Sequence, residues 1–305
     1  MSEYLSLFKN KSAESLFLKK YDLCLKQWPV PYETDYIETG FGQTHVIKCG
    51  NKKGPVLVLM HGMGGTAAMW IPNIKELSKK YYIIAVDILG DLNKSKAGRT
   101  FKNTKDASDW LIGVIDKLKI DKFSIIGVSY GSFISMIASI YEQHRVENLI
   151  IISPTESITK IQKKFWFWAI KVLLIPSNSN YMNCYKWFNA DKPLVLNDYT
   201  ELQLLVMKSR NLKIKPLIHL FSDQELLQIK IPVLLLIGNK EVITNVDEVK
   251  KRAEKLIKNL TFHIIDDAGH TLSSEKAEII NPIILDFLNN NYTKKIPRAT
   301  RSNRK

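Results

Sequence analysis

Short apolar runs rich in Val and Ile alternate with amphipathic stretches along most of this chain. The runs at 55–60, 82–86, 123–128, 148–153, 232–237 and 260–265 read as buried strands, because a strand covered on both faces is apolar without interruption. Helical periodicity occupies 66–80, 103–118, 130–142, 247–258 and 275–289. Strand and helix in alternation predict a mostly parallel sheet with helices on both faces. Two further short strands, near 36–39 and 43–49, flank Gly40-Phe41-Gly42 as a hairpin and bring the expected total to eight. The first thirty or so residues are amphipathic and predict a helix, with Leu5, Phe8, Leu16, Phe17 and Leu23 set among lysines.

One interval breaks the rhythm. Between Pro154 and Ile231 the pattern is helical and aromatic, with Phe165-Trp166-Phe167-Trp168 and Trp187-Phe188. It is too long for a single crossover and predicts an inserted helical lid. Its aromatics either pack the lid onto the core or line an apolar pocket. The chain therefore divides into an N-terminal helical segment (1–35), a core (36–157 and 229–292), a lid (158–228) and a basic tail (293–305).

Composition narrows the class. Hydrophobic residues make up 45% and charged residues 24% of 305 residues, as in an ordinary globular protein, so bulk disorder is not expected. The net charge of +14 raises the question of nucleic acid. Lys294, Lys295, Arg298, Arg301, Arg304 and Lys305 concentrate part of it at the end, and the rest is diffuse lysine without an aromatic-studded stripe. No nucleic-acid partner is expected. Cys24, Cys49 and Cys184 form no paired framework, which suits a reducing compartment. The start, Met1-Ser2-Glu3-Tyr4, has no signal-peptide pattern, and the apolar stretch 165–175 is short and carries Lys171. The expectation is a cytoplasmic protein without stable membrane insertion.

The chemistry centres on Gly127-Val128-Ser129-Tyr130-Gly131. A G-x-S-x-G string recurs by chance in roughly one chain in ten of this length. Here a predicted strand runs into it and a helix runs out, which is the context a strained, exposed serine nucleophile requires. Such a serine needs a base. His45, His144, His219 and His263 lie in strand, helical or lid segments, and His61 precedes a Gly and shapes a loop. His270, in Asp266-Asp267-Ala268-Gly269-His270, follows the last strand and is the candidate base. Glu241, just past the strand 232–237, is the favoured carboxylate to orient it. Glu156 is its rival and Asp247 a weaker one. The backbone amides of Tyr130 and of Met63, in His61-Gly62-Met63-Gly64-Gly65, are the expected oxyanion donors.

Together these motifs resemble the α/β-hydrolase superfamily, over about 36–292. His61-Gly62-Met63-Gly64 looks like its oxyanion loop. The segment Asp87 to Ser95 looks like its D-x-x-G-x-G-x-S signature, with Asp91 and Asn93 in place of small residues. Glu241 stands where the family more often has Asp. The resemblance implies a lid between the sixth and seventh strands, and Ser129 argues against the Asp-nucleophile branches. The expected activity is that of a serine hydrolase: a carboxylic ester hydrolase with a Ser-His-Glu triad and acyl-enzyme, acting on a small or medium apolar ester. Neither metal nor organic cofactor is implied. The alternatives are an amide or carbon–carbon bond hydrolase, a ligand-sensing protein of the same fold, or a dinucleotide-binding oxidoreductase. The last reads Gly62-Met63-Gly64 through Ala67 as a phosphate loop and Asp87 as the ribose acceptor.

Overall fold

A computed structural model describes residues 4–175, 177–192, 197–211 and 216–295. The strands are β1 (Tyr32–Thr39), β2 (Gly42–Gly50), β3 (Val56–Met60), β4 (Tyr82–Val86), β5 (Lys96–Ala97), β6 (Phe123–Val128), β7 (Val146–Ile152), β8 (Val233–Gly238) and β9 (Leu260–Ile265). They form one nine-stranded sheet in the order β1-β2-β4-β3-β6-β7-β8-β9, with β5 paired to β2. From β4 to β9 every pairing is parallel, and the hairpin β1–β2 closes the other end antiparallel. The ninth strand is the two-residue β5, too short to leave a hydrophobic period in the sequence. The helical insertion falls between β7 and β8, which are the sixth and seventh of the strands read from the sequence.

The helices are α1 (Lys11–Leu25), α2 (Ile71–Leu77), α3 (Thr104–Lys117), α4 (Tyr130–Tyr141), α5 (Lys163–Leu174), α6 (Asn178–Phe188), α7 (Asp198–Ser209), α8 (Asp223–Gln228), α9 (Val246–Leu256), α10 (Leu272–Glu275) and α11 (Ala277–Lys295). Central strands β6 and β8 are buried at every position, which explains their unbroken apolar sequences. One core cluster, holding Trp110, Phe133 and Leu235, lies under α3, α4, α8 and α9. The other holds Phe17, Trp70 and Leu236, and α1, α7 and α11 cover it.

Two boundaries differ from the sequence reading. Strand β1 begins at Tyr32, inside the segment assigned to the N-terminal helix. It is an edge strand with Glu33, Thr34 and Glu38 exposed, so burial imposed no apolar pattern to read. The insertion ends before Phe221 rather than at 228, because Phe221 and Leu226 are buried in the core cluster and α8 returns the chain to the sheet. A single guanidinium ties the two ends of the insertion together. Arg252 donates to the Phe221 carbonyl at 2.6 Å, to Asp223 Oδ1 at 2.7 Å, and to the Ile158 carbonyl.

The N-terminal segment is not a separate unit. Residues Phe8 and Arg210 form a bridge, the Lys9 amide donates to the Ser209 carbonyl at 2.8 Å, and Lys20 pairs with Asp198 and Glu201 of α7. Residues 296–305 of the basic tail lie outside the described residues, and α11 extends to Lys295, past the expected end of the core.

Candidate active site

Ser129 stands between β6 and α4 at φ 53° and ψ −113°, a conformation that costs a non-glycine residue about 1–3 kcal/mol. Its neighbours explain how the turn is made. A Cβ on Gly127 would lie 2.2 Å from the Gly131 carbonyl oxygen, and a Cβ on Gly131 would lie 2.1 Å from that of Met60. Only glycine lets strand, turn and helix approach so closely. Ser132 Oγ donates to the Gly127 carbonyl at 2.7 Å and the Ser129 amide to that of Ile152 at 2.9 Å, so the turn is held from both sides.

The His61–Gly65 loop lies directly against this serine: a Cβ on Gly62 would stand 3.5 Å from Ser129 Cβ. Among the described residues, the amides of Met63 and Tyr130 have no hydrogen-bond partner. His61 is buried and fully used. Its Nε2 accepts the Ile88 amide at 2.9 Å, which leaves Nδ1–H to donate to the Gly62 carbonyl at 2.8 Å. It shapes the loop, as its position after a strand suggested.

His270 and Glu241 come together across the ends of β8 and β9. The imidazole Nδ1 lies 2.8 Å from Glu241 Oε2 and 3.0 Å from Oε1, with the carboxylate wholly buried and the imidazole nearly so. Glu241 Oε1 also accepts the amides of Val242 at 2.9 Å and Ile243 at 2.8 Å. Burial pushes this carboxyl's pKa up. The charge and hydrogen bond of His270 and the two amides outweigh that and hold it below the usual carboxylate range. Of the three carboxylates weighed in the sequence, Glu241 alone bonds the imidazole among the described residues, and Asp247 sits in the first turn of α9. Ser129 Oγ bonds no described residue, so the structure joins His270 to Glu241 and leaves the Ser129–His270 link open, as unliganded sites often do.

Two of the other histidines are engaged away from this serine. His45 is buried with its Nδ1 at 2.9 Å from Asp87, and His219 lies 3.1 Å from Glu225. The dinucleotide reading fails on geometry. Asp87 is buried and accepts the Tyr21 hydroxyl at 2.9 Å, the Ala67 amide at 2.8 Å and the His45 ring, leaving nothing for a ribose. The Gly64 amide, which would face a phosphate, is taken by Asp91 at 2.6 Å.

Sequence reasoning missed the braces around this site. Asp91 holds the loop amide of Gly64 and faces Arg210 at 3.3 Å, so the insertion reaches the candidate oxyanion loop. Asn93 donates to the Ile88 carbonyl at 2.8 Å and accepts the Ser95 amide at 2.8 Å. Their departure from small residues was the visible signal. Nothing in the sequence marked the end of α6. There the Phe188 carbonyl accepts the His270 amide at 2.8 Å, and Asn189 accepts the Thr271 hydroxyl at 2.7 Å. A cavity of about 280 Å³ opens beside this loop, lined by Met69, Ile71, Tyr185, Tyr199, Thr271 and others. No cluster of three or more metal-ligating side chains occurs among the described residues.

Comparison with known proteins agrees with this architecture. Residues 55–277 match the family described as alpha/beta hydrolase fold. A relative from Bacillus subtilis (strain 168), named uncharacterized carboxylesterase nap, is 33% identical over 279 residues, covering 90% of this chain and 92% of its own. Carboxylesterase YbfK of the same organism is 32% identical over 279 residues, covering 89% and 93%. The crystal structure of naproxen esterase (carboxylesterase NP) from Bacillus subtilis superposes with a TM-score of 0.85 at 32% identity, over 94% of this chain and all of that one. This chain belongs to the alpha/beta hydrolase fold family.

Proposed function

We propose that this chain is a carboxylic ester hydrolase in which Ser129 is the nucleophile, His270 the general base and Glu241 the carboxylate that orients it. The observation that carries the reading is the strained Ser129 turn set at the same sheet edge as the buried His270–Glu241 pair. The carboxylesterase names of relatives that match over nearly the whole chain support the substrate class.

The chemistry follows from the groups present. Ser129 Oγ attacks the ester carbonyl as His270 Nε2 takes its proton, and the charge that gathers on the carbonyl oxygen meets the free amides of Met63 and Tyr130. Collapse of the tetrahedral intermediate breaks the bond to the alcohol oxygen, which receives the proton from His270. Water then attacks the acyl-enzyme with His270 again as base and releases the acid and Ser129. Glu241 keeps Nδ1–H directed away from the serine and stabilises the imidazolium. In this reading the insertion is a lid. The Phe188 ring, 5.9 Å from the His270 imidazole, sets an apolar surface beside the base and supports the reading of an apolar ester of small or medium size.

A cytoplasmic location suits the three buried, unpaired thiols, among which burial pushes the Cys24 pKa up to about 12. The test is hydrolysis of p-nitrophenyl esters of graded chain length by wild type and Ser129→Ala. Loss of at least about a thousandfold in the variant supports the assignment. A folded wild-type protein that cleaves no ester, while Ser129 still reacts with a fluorophosphonate, moves the substrate class to amides or carbon acids.

A further inference from the structure

Helix α5, with the sequence KKFWFWAIKVLL, is apolar on two opposite faces. One face packs inward: Phe165 stacks on Phe188 with ring centroids 6.3 Å apart, and Trp168 on Trp187 at 6.0 Å. The other faces away from the protein. Trp166, Ile170 and Leu174 follow one another at four-residue spacing, with Phe167 beside them, and are 52%, 52%, 73% and 63% exposed respectively. A helix apolar all round is one that is buried on both sides in its working state. Clustered exposure of this kind marks an interaction surface, whereas scattered apolar residues do not.

The charges around the helix say what covers it. From Ser157 to Ala190 the chain carries no Asp or Glu, while Lys160, Lys163, Lys164, Lys171 and Lys186 fall in the same interval. Among the described residues, none of Lys160, Lys163, Lys164 and Lys171 makes an ion pair, and Lys171 lies over the Trp168 ring at 4.9 Å from its centroid. A second copy of this chain brings no carboxylate in that interval to answer these lysines. A bilayer surface with anionic headgroups does, and it accepts Trp, Phe and Leu side chains at the depth where headgroups meet acyl chains.

We propose that α5 is an interfacial helix that docks the lid side of the protein on an anionic lipid surface, with Trp166, Phe167, Ile170 and Leu174 inserted and the flanking lysines at the headgroups. The docking is peripheral. No described helix is long and apolar enough to cross a membrane. It is independent of the ester hydrolase reading, since it requires only the outward face of α5.

The test is co-sedimentation of the full chain with vesicles of phosphatidylglycerol and phosphatidylcholine, and with vesicles of phosphatidylcholine alone. Wild type is expected to bind the anionic vesicles, with binding that weakens as salt rises. Phe167→Ser combined with Leu174→Ser is expected to lower the binding about tenfold or more. Lys163→Gln combined with Lys164→Gln is expected to lower it about fivefold per lysine on anionic vesicles only. Far-UV circular dichroism and a melting temperature equal to the wild type's check that both variants fold. The proposal is overturned if the wild type ignores anionic vesicles, or if both variants bind as the wild type does. It is equally overturned if removal of residues 296–305 alone abolishes binding. Self-association that the Ser substitutions dissolve, without vesicle binding, assigns the face to a second copy instead.

Discussion

Asp91 accepts the Gly64 amide at 2.6 Å through one carboxylate oxygen and faces the Arg210 guanidinium at 3.3 Å through the other. One side chain thus links the loop that carries the Met63 amide to Arg210, which caps the C-terminal end of α7 in the insertion. The Asp91 carboxylate is buried, so the amide it holds has no water to replace it.

Asp91→Ala should therefore loosen the oxyanion loop rather than the substrate pocket. Losing a charge-assisted hydrogen bond to a buried amide costs about 1.5–3 kcal/mol, which corresponds to a fall in kcat of about tenfold to a hundredfold. The prediction is a loss in kcat with KM close to wild type, measured on a p-nitrophenyl ester. A change confined to KM would assign Asp91 to substrate binding instead.

Glu241 is held by two amides as well as by His270, so its length matters along with its charge. Glu241→Gln removes the charge that sets the imidazole tautomer and should lower kcat by about a thousandfold to ten-thousandfold. Glu241→Asp keeps the charge but draws it back by one methylene from an anchored position. A loss of about tenfold to a hundredfold is expected. Equal activity of both variants and the wild type would transfer the orienting role to another carboxylate, such as Glu156.

Asp87 links α1 to the sheet through Tyr21, His45 and the Ala67 amide. Burial pushes its carboxyl pKa up, and the hydrogen bond and charge of His45 pull it further down, leaving it below the ordinary value. A carboxyl with a lowered folded pKa adds stability above its unfolded pKa of about 3.9, and that stability is lost as pH falls through the folded value. Asp87→Asn should be less stable at neutral pH by about 3–5 kcal/mol in urea unfolding, the cost of breaking a buried pair. It should also show a shallower loss of stability below about pH 4. An unchanged acid limb would place the titrating groups elsewhere.

Arg252 bonds both ends of the insertion, at Ile158 and at Phe221. Arg252→Ala should raise the rate of limited proteolysis within 158–221 about tenfold while the sheet core stays resistant. Lysine should rescue poorly, because a single ammonium does not span the carbonyls and the Asp223 carboxylate together. Cleavage that appears first in the sheet would show that the clamp serves the core.

The residues whose roles are local were legible in the sequence. Gly127 and Gly131 bracket Ser129 within five positions, and the strand before and helix after them are written in the same stretch. His270 stood out because it follows the last strand. Glu241 and Glu156 both follow a predicted strand, and both precede His270 in the chain. Which carboxylate meets the imidazole depends on how β8 and β9 pair, with Gly238 opposite Ile265. The first half of the edge strand β1 and the short β5 escaped because neither buries enough surface to impose an apolar period.

By itself, then, the amino-acid order determined the alternation of buried strands with helices, the strained serine turn and the position of a histidine after the last strand. Each rests on contacts between neighbours in the chain or on burial strong enough to pattern it. Tertiary structure decided that Asp87 is saturated, that Asp91 and Arg210 tie the insertion to the His61–Gly65 loop, and that Phe188 holds the histidine loop. It also decided that one face of α5 packs on α6 while the other stays open. These join residues far apart in the chain, and hydrogen-bond geometry at such separations follows from the packing of whole elements, which no local pattern records.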